Sequence, residues 1–200
     1  MAFDLISRRD KQREQYGKRL PPGQHVVENW PVLTYGGTPR VEAKDWEFRV
    51  FGLVEEEVKF SWEEFTALPT KPVHTDIHCV TAWSRFDQDF EGVSIPELMT
   101  RVKPKANASA VMAHCYGGYT TNLLMSDFVR EDNLLAYRHD GKLLPAEHGG
   151  PCRLFVPHLY FWKSAKWVRG IEFLDRDRPG FWEMYGYHLR GDPWKEERYS

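Results

Sequence analysis

The shortness of the apolar runs constrains this chain most, because glycine, proline or charged residues interrupt each run within a few positions. Residues 46–52 alternate apolar and polar side chains with a period of two, the pattern of a strand buried on one face. An Asp140-Gly141 pair between two further runs is a hairpin signal. Strand-like runs are predicted at residues 46–52, 73–81, 110–114, 119–124, 134–137, 153–156 and 168–174.

Helices are predicted to be few and short. Ser61 and Glu64 have the spacing of a capping box, which begins a helix that Pro69 ends. Ser94 and Glu97 repeat the device and open a second helix to about residue 101. Residues 84–87 are predicted to be a polar loop, and the last 25 residues an ordered tail over the body. The fold class predicted is α+β, with mixed β-sheets and short helices.

Length and charge exclude several classes of protein. Two hundred residues can bury a core without disulfides. The formal net charge of -2 gives no surface for a polyanion, so we expect no nucleic-acid partner. No apolar run approaches the roughly 18 residues that a membrane span needs, so no span is predicted. Three cysteines are too few for a disulfide framework.

The N-terminal residues bear on the compartment. Residues 1–24 are charged and are predicted to be an arm, with one domain over residues 25–200. Ser7-Arg8-Arg9 is similar to the start of a twin-arginine signal, but the polar residues 10–15 follow where an apolar segment is needed. We therefore expect that the protein is not exported and is cytoplasmic. Free cysteines fit such a reducing compartment, where disulfides are rare.

Cys79 is the first candidate for chemistry. It is predicted at the end of a strand, beside His78 and ahead of Arg85. A cysteine in a strand is most often a small core residue, but nearby cations favour the thiolate that attacks or binds metal. Cys115 follows His114 in the same way, whereas Cys152 is predicted to pack in the core.

Two further segments combine polar groups with aromatics. Residues 148–153 place His148 and Arg153 around Gly149-Gly150-Pro151, either a plain turn or a close approach to a ligand. Residues 157–167 place Lys163, Ser164 and Lys166 between tryptophans, which suits a phosphate beside a flat heterocycle. The 8 Trp, 9 Tyr, 12 Phe and 8 His residues of the chain would suit the wall around a large polar ligand.

Other catalytic motifs are missing from the sequence. No GxSxG, HExxH, GxxxxGK[ST] or GxGxxG occurs, so the chain lacks the motifs by which serine hydrolases, zincins, P-loop proteins and Rossmann proteins are recognised. His74 and His78 on one strand would lie roughly 13 Å apart, too far to share a zinc ion.

The three segments together resemble the sulfite oxidase family of molybdenum–pterin oxidoreductases. The likeness covers about residues 25–200 and is greatest to its small bacterial branch, which is also similar to the catalytic subunit of the periplasmic methionine sulfoxide reductase. The resemblance implies a sulfite oxidase-like molybdopterin-binding fold and a molybdenum–molybdopterin cofactor. It also implies two-electron oxygen-atom transfer as molybdenum cycles between VI and IV.

The resemblance also implies roles for individual residues. Cys79, within His78-Cys79-Val80-Thr81-Ala82-Trp83, would be the molybdenum ligand, with Arg85 and Tyr160 on the substrate side. The family's HGxPxR motif matches residues 148–153. The residues implied to contact the pterin or its phosphate are Asn29, Trp30, His114, Cys115, His148, Arg153, Lys163, Ser164, Ala165 and Lys166.

The chain departs from sulfite oxidases proper. Its 200 residues leave no room for a haem or dimerisation domain, so we expect a separate electron-transfer protein as partner. The sulfite pocket of the family uses several arginines, and here Arg85 is the best-placed candidate near Cys79, so the expected substrate is an S-oxide, N-oxide or related small oxo-compound. A non-catalytic molybdopterin carrier is the alternative, and a thiol enzyme using Cys79 with His78 is a third hypothesis.

Overall fold

A computed structural model describes residues 11–200 and contains two mixed β-sheets with short helices between their strands. The helices are α1 (Trp62–Thr66), α2 (Ile95–Met99), α3 (Met125–Phe128) and α4 (Phe181–Met184). The strands are β1 (His25–Val26), β2 (Glu47–Gly52), β3 (Val58–Ser61), β4 (Lys71–His78), β5 (Trp83–Ser94), β6 (Ala110–Cys115), β7 (Thr120–Leu124), β8 (Leu134–His139), β9 (Lys142–Leu143), β10 (Arg153–Phe155) and β11 (Val168–Leu174).

The first sheet has five strands in the order β3-β2-β11-β6-β7, with β2 and β11 parallel and the other pairs antiparallel. The second has six strands around β5, which pairs with β1 in parallel and with β4 and β8 antiparallel. β10 and β9 complete it by pairing with β8. The α+β prediction is confirmed.

The alternation of side chains along β8 places the core on both faces of the six-stranded sheet. Leu135 and Tyr137 point into the main core, which they share with residues of the five-stranded sheet such as Phe48 and Ile171. Leu134 and Ala136 point the other way, because successive side chains of a strand leave on opposite faces. On that second face they join what we call the Cys79 cluster, whose buried members are Ile77, Cys79, Val80, Trp83, Phe90, Leu134, Ala136, Leu144, Phe155, Tyr160, Phe161 and Trp162.

The helix starts follow the sequence signals. The Ser61 side chain accepts the N–H of Glu64, and the Glu64 carboxylate accepts the N–H of Ser61, so the first capping box is complete. Ser94 likewise caps α2 by accepting the N–H of Glu97. Only half of the second box forms, because the Glu97 carboxylate pairs with Arg101.

One predicted loop is a strand. Residues 84–87 belong to β5, a strand of 12 residues that pairs with β4 over residues 84–92. The sequence pattern is misleading here because the polar side chains of β5 find partners on neighbouring elements, even where they remain exposed to solvent. Arg19 forms ion pairs with both Asp76 of β4 and Asp87 of β5.

Both ends of the described chain pack on the body. Residues 11–16 of the predicted arm are helical, and Leu20 and Gln24 are buried. Residues 1–10, which include Ser7-Arg8-Arg9, lie outside the described residues. The expectation of an ordered C-terminal tail is confirmed: the N–H of Tyr160 donates to Gly191, and Tyr187 forms a β-bridge with Tyr199.

Candidate active site around Cys79

Cys79 lies in the tight turn that joins β4 to β5. Its N–H donates to the carbonyl of Trp83 at 2.8 Å, and its carbonyl accepts the N–H of Ala82 at 3.0 Å. Ala82 has a φ of +73°, which closes the turn. The Thr81 hydroxyl donates to the Cys79 Sγ at 3.2 Å. The turn therefore presents one thiol in a defined direction, with 8% of the residue exposed.

The surroundings of Cys79 do not activate it as a free nucleophile. Burial raises the pKa of the thiol, against the smaller opposing effects of the Thr81 hydrogen bond and the Arg198 charge. His78 bonds to the Ser84 hydroxyl at 2.8 Å, and burial lowers its pKa to about 4, so it stays neutral. A neutral imidazole cannot stabilise a thiolate by charge, which counts against the thiol-enzyme hypothesis.

Gly149 brings the second and third candidate segments together. It has a φ of +109°, and a Cβ there would lie 3.1 Å from both the Arg153 Cβ and the Lys166 Cα. A glycine is required because of both the backbone conformation and this close approach. The turn at Ala146–His148, strand β10 and the loop after Trp162 thus meet at one point.

Arg153 is a buried cation that is bonded only to carbonyls. Its Nη1 and Nη2 donate to the carbonyls of His148 at 2.7 Å and Ser164 at 2.6 Å. Its Nε has no hydrogen-bond partner within residues 11–200. Burial lowers the pKa of Arg153 to about 9. The guanidinium carbon lies 4.2 Å from the centre of the Phe161 ring, which places the charge against the Cys79 cluster.

Lys166 adds a second cation of the same kind. Its Nζ donates to the carbonyls of Leu33 at 2.8 Å and Glu147 at 2.6 Å. Burial, followed by repulsion from Arg153, lowers the pKa of Lys166 to about 8. Burial and the same two cations lower the pKa of His148 to about 4, and its neutral ring stacks on Trp30 with centroids 3.8 Å apart. Arg153, Lys166 and the neutral His148 therefore form a group with a net positive charge, which suits an anion.

The loop that carries Lys166 has free backbone donors. The N–H groups of Lys163, Ser164 and Trp167 donate to backbone carbonyls, whereas those of Ala165 and Lys166 meet no acceptor within the described part of the chain. The Ser164 hydroxyl accepts the N–H of Val156 at 2.8 Å, so it supports the loop.

Lys163 points away from this group. Its Nζ bonds to Glu183 at 2.5 Å, to the Asn122 side chain at 2.8 Å and to the Leu189 carbonyl at 2.6 Å. A fourth acceptor, the Asn122 carbonyl, lies at 3.0 Å. The three protons of the ammonium are therefore used inside the protein. In this structure Lys163 does not offer the phosphate contact that its neighbourhood in sequence implied.

Tyr160 is fully buried in the Cys79 cluster, and its hydroxyl has no hydrogen-bond partner among residues 11–200. Its ring stacks on that of Trp162, with centroids 5.4 Å apart. The guanidinium carbon of Arg198 lies 5.0 Å from the ring centre on the Tyr160 side chain. Burial raises the pKa of Tyr160, so its hydroxyl remains a proton donor.

Four of the sequence-predicted site residues are less well placed to contact a cofactor beside Cys79, namely Arg85, Asn29, His114 and Cys115. Arg85 bonds to the Glu28 carbonyl and to Gln88, and the arginine whose charge reaches the thiol is Arg198. Asn29 is exposed.

The pair on β6 divides between two faces of its strand. His114 pairs with Glu172 at 2.9 Å, whereas Cys115 is buried in the main core, where the charge of Arg153 reaches it. Burial also raises the pKa of Cys115.

Sequence reasoning missed Gln24 and Arg198. The Gln24 Nε2 donates to the carbonyl of Cys79 at 3.0 Å, and Arg198 donates to that of Val80. Neither residue lies in a motif, and both reach the turn only because the two ends of the described chain fold over it. No local signal could have found them.

Comparisons with known proteins identify the family of the chain. A family model described as "Oxidoreductase molybdopterin binding domain" matches residues 35–182. The chain is 46% identical to "Uncharacterized oxidoreductase YuiH" of Bacillus subtilis (strain 168), over 95% of this chain and 96% of that protein. It is 26% identical to the "Protein-methionine-sulfoxide reductase catalytic subunit MsrP" of Ralstonia nicotianae, over 80% of this chain and 54% of that one.

The fold also matches a solved structure. The sulfane dehydrogenase SoxCD from Paracoccus pantotrophus aligns with a TM-score of 0.64 and 21% identity, over 70% of this chain and 41% of that chain. No helix within residues 11–200 is long and apolar enough to cross a membrane. Since the family model spans well over half of its length, the chain belongs to the oxidoreductase molybdopterin-binding family, as a molybdenum-dependent oxidoreductase with a sulfite oxidase-like fold.

Proposed function

We propose that the chain catalyses oxygen-atom transfer on an S-oxide, N-oxide or related small oxo-substrate, with Cys79 as the protein ligand of molybdenum. The observation that carries the proposal is the single buried thiol of the Cys79 cluster, together with the buried Arg153 guanidinium, whose Cζ lies 4.2 Å from the ring centre of Phe161 in the same cluster. When bound, the molybdenum–molybdopterin cofactor supplies a two-electron transfer of an oxygen atom.

The buried donors around Cys79 fit such a cofactor. The Arg153 Nε, the Trp83 Nε1 and the Tyr160 hydroxyl are all buried without a partner within residues 11–200, and all three can donate. Leaving a buried donor unpaired costs about 1–3 kcal/mol, so three in one region indicate a group rich in acceptors. A pterin with a phosphate offers ring nitrogens, a carbonyl and anionic oxygens.

Different residues of this chain would bind the phosphate, the pterin and the metal of the cofactor. Arg153, Lys166 and the free N–H groups of Ala165 and Lys166 would hold the phosphate. His148 and Trp30 supply a flat, neutral aromatic surface for the pterin. Cys79 would give the metal a soft sulfur ligand, and Thr81 would orient that sulfur through its hydrogen bond.

Tyr160 is the proposed substrate-side residue. Burial raises its pKa, against the smaller opposing effects of the Arg198 charge and the nearby Gln24 side chain, so the proton stays on the oxygen and the hydroxyl can donate to the oxygen of an S-oxide or N-oxide. Arg85 stays a proposed substrate-side residue with fewer donors to offer, because its Nε donates to the Glu28 carbonyl and its Nη1 to the Gln88 side chain.

Electrons would come from a separate protein in the cytoplasm. Two relatives are named as subunits of protein-methionine-sulfoxide reductases, which supports a division of labour between chains. The three cysteines are all free and buried, which fits a reducing compartment. We further propose that residues 25–200 form the molybdopterin-binding domain and residues 1–24 its arm.

Replacing the proposed ligand tests the function. Wild-type protein from a host that makes molybdopterin is expected to contain close to one molybdenum and one pterin per chain, and to reduce S-oxides or N-oxides with an artificial electron donor. Cys79→Ser is expected to retain the fold and lose the activity, because an alcohol is a poor ligand for a soft site. Cys152→Ala, which also removes a buried thiol, is the matched control and should stay active.

Two results would contradict the proposal. The first is a folded wild-type protein from such a host without pterin fluorescence after oxidation. The second is a Cys79→Ser variant as active as Cys152→Ala. Wild-type protein that binds the cofactor but reduces none of these substrates, with no metal redox change on adding them, would instead favour a carrier.

A further inference from the structure

Two backbone carbonyls of the Cys79 turn are held by side chains from distant parts of the sequence. The carbonyl of Cys79 accepts the Gln24 Nε2 at 3.0 Å, in addition to the N–H of Ala82 within the turn. The next carbonyl, of Val80, accepts the Arg198 guanidinium. The turn is therefore held from outside at two successive peptide groups.

Gln24 is supported from behind. It is 3% exposed, and its Oε1 accepts the Ser84 hydroxyl at 3.4 Å. Ser84 in turn bonds to the His78 Nδ1 at 2.8 Å. A glutamine fixed at both ends of its amide holds the Cys79 carbonyl in one place.

Arg198 brings a charge as well as a hydrogen bond. Its two hydrogen bonds go to backbone carbonyls, those of Val80 and of Pro22 at 3.4 Å, and it forms no ion pair within the part of the chain that the structure describes. Its Cζ lies over the Tyr160 ring at 5.0 Å. A partly buried guanidinium that forms no ion pair within residues 11–200 thus lies between the Cys79 turn and Tyr160. The Glu196 carboxylate is near it, because a Cβ on Gly23 would lie 2.8 Å from the Glu196 Oε1 and 3.1 Å from the Arg198 Nη2.

We infer that Gln24 and Arg198 are positioning residues, which hold the Cys79 turn so that the sulfur meets the metal in one orientation. The inference rests on the proposed role of Cys79 as ligand. It assigns a task to two residues that lie outside the matched family segment, residues 35–182. A charge fixed beside the ligand also favours the reduced, more negative state of the metal.

Amide hydrogen exchange in the Cys79 turn tests directly whether Gln24 and Arg198 hold it in place. The amides of Cys79 and Ala82 are bonded within the turn, so loosening it must expose them. In Arg198→Gln and in Gln24→Met we expect these amides to exchange on the order of ten-fold faster than in the wild type, the loss of one such hydrogen bond. Arg169→Gln is the matched control, because Arg169 also lies over a tyrosine ring, that of Tyr116, at 4.9 Å.

The paramagnetic resonance spectrum of the Mo(V) state separates positioning from a merely structural role. We expect altered spectra in Arg198→Gln and Gln24→Met, a lower reduction potential in Arg198→Gln, and wild-type values in Arg169→Gln. Unchanged exchange in the turn, or faster exchange with an unchanged spectrum, would overturn the inference. If Arg198→Gln does not fold, Gln24→Met decides by the same criteria. A wild type without molybdenum would refute the proposed function, and exchange alone would then show whether these side chains hold the turn.

Discussion

Removing the amine of Lys163 should strongly destabilise the protein, although this lysine offers no contact to the proposed cofactor site. The side chains of Lys163 and Glu183 are both fully buried, with 2.5 Å between Nζ and Oε1. In Lys163→Met, a carboxylate would stay buried with only the Trp162 indole at 2.9 Å and the Thr121 hydroxyl at 3.1 Å as donors.

The expected magnitude follows from that uncompensated charge. Breaking a buried ion pair on one side costs about 3–5 kcal/mol. For a chain of this size each kcal/mol lowers Tm by about 2–4 °C, so Lys163→Met should unfold about 6–20 °C below the wild type. The double variant Lys163→Met/Glu183→Gln should recover part of the loss, because no buried charge is left and the amide oxygen still accepts from Trp162.

Urea unfolding and thermal scans of the cofactor-free proteins measure both values. Lys59→Met is the matched control, since its partner Glu47 lies 3.9 Å away and both side chains are more than half exposed. That pair should contribute at most about 1 kcal/mol. A loss below about 1 kcal/mol in Lys163→Met, or a double variant less stable than the single one, would refute the reasoning.

Three further predictions concern the group formed by Arg153 and Lys166. Gly149→Ala should lower the molybdenum and pterin content of folded protein, because the new Cβ would lie 3.1 Å from the Arg153 Cβ and the Lys166 Cα at a φ of +109°. Gly141→Ala is the control, since φ is +72° there and the space around it is open. Equal cofactor content in the two variants would contradict the prediction. Because the pKa of Lys166 falls from 10.5 to about 8, the unfolded chain binds more protons than the folded one between those values, so the cofactor-free protein should gain stability from this residue as pH rises from 8 to 10.5. Over the same range the neutral amine should release the pterin faster, and both trends should vanish in Lys166→Met.

The sequence predicts local structure well where a signal lies within a few residues. The Ser61–Glu64 box and the Asp140-Gly141 hairpin both form as expected, with positive φ at both hairpin residues. β5 was missed because its polar residues resemble a loop until Arg19, far away in sequence, pairs with Asp87. Periodicity cannot show a partner that tertiary folding supplies.

The same division applies to the candidate site. Cys79, His148, Arg153 and Lys166 can be selected from the sequence because motifs preserve their spacing, and the structure brings the last two together at Gly149. The direction of a side chain was less predictable. Lys163, three residues before Lys166, turns to Glu183 because burial demands a counter-charge for its ammonium.

The hold on the Cys79 turn has a consequence for synthesis of the protein. Arg198 bonds to the carbonyl of Pro22, 176 positions earlier, and to that of Val80, 118 positions earlier. A chain leaving the ribosome exposes the turn long before residue 198 emerges. The Cys79 turn therefore reaches its final form only after residue 198 has been synthesised. Until then the Val80 carbonyl lacks its partner and the turn stays uncovered by the C-terminal segment.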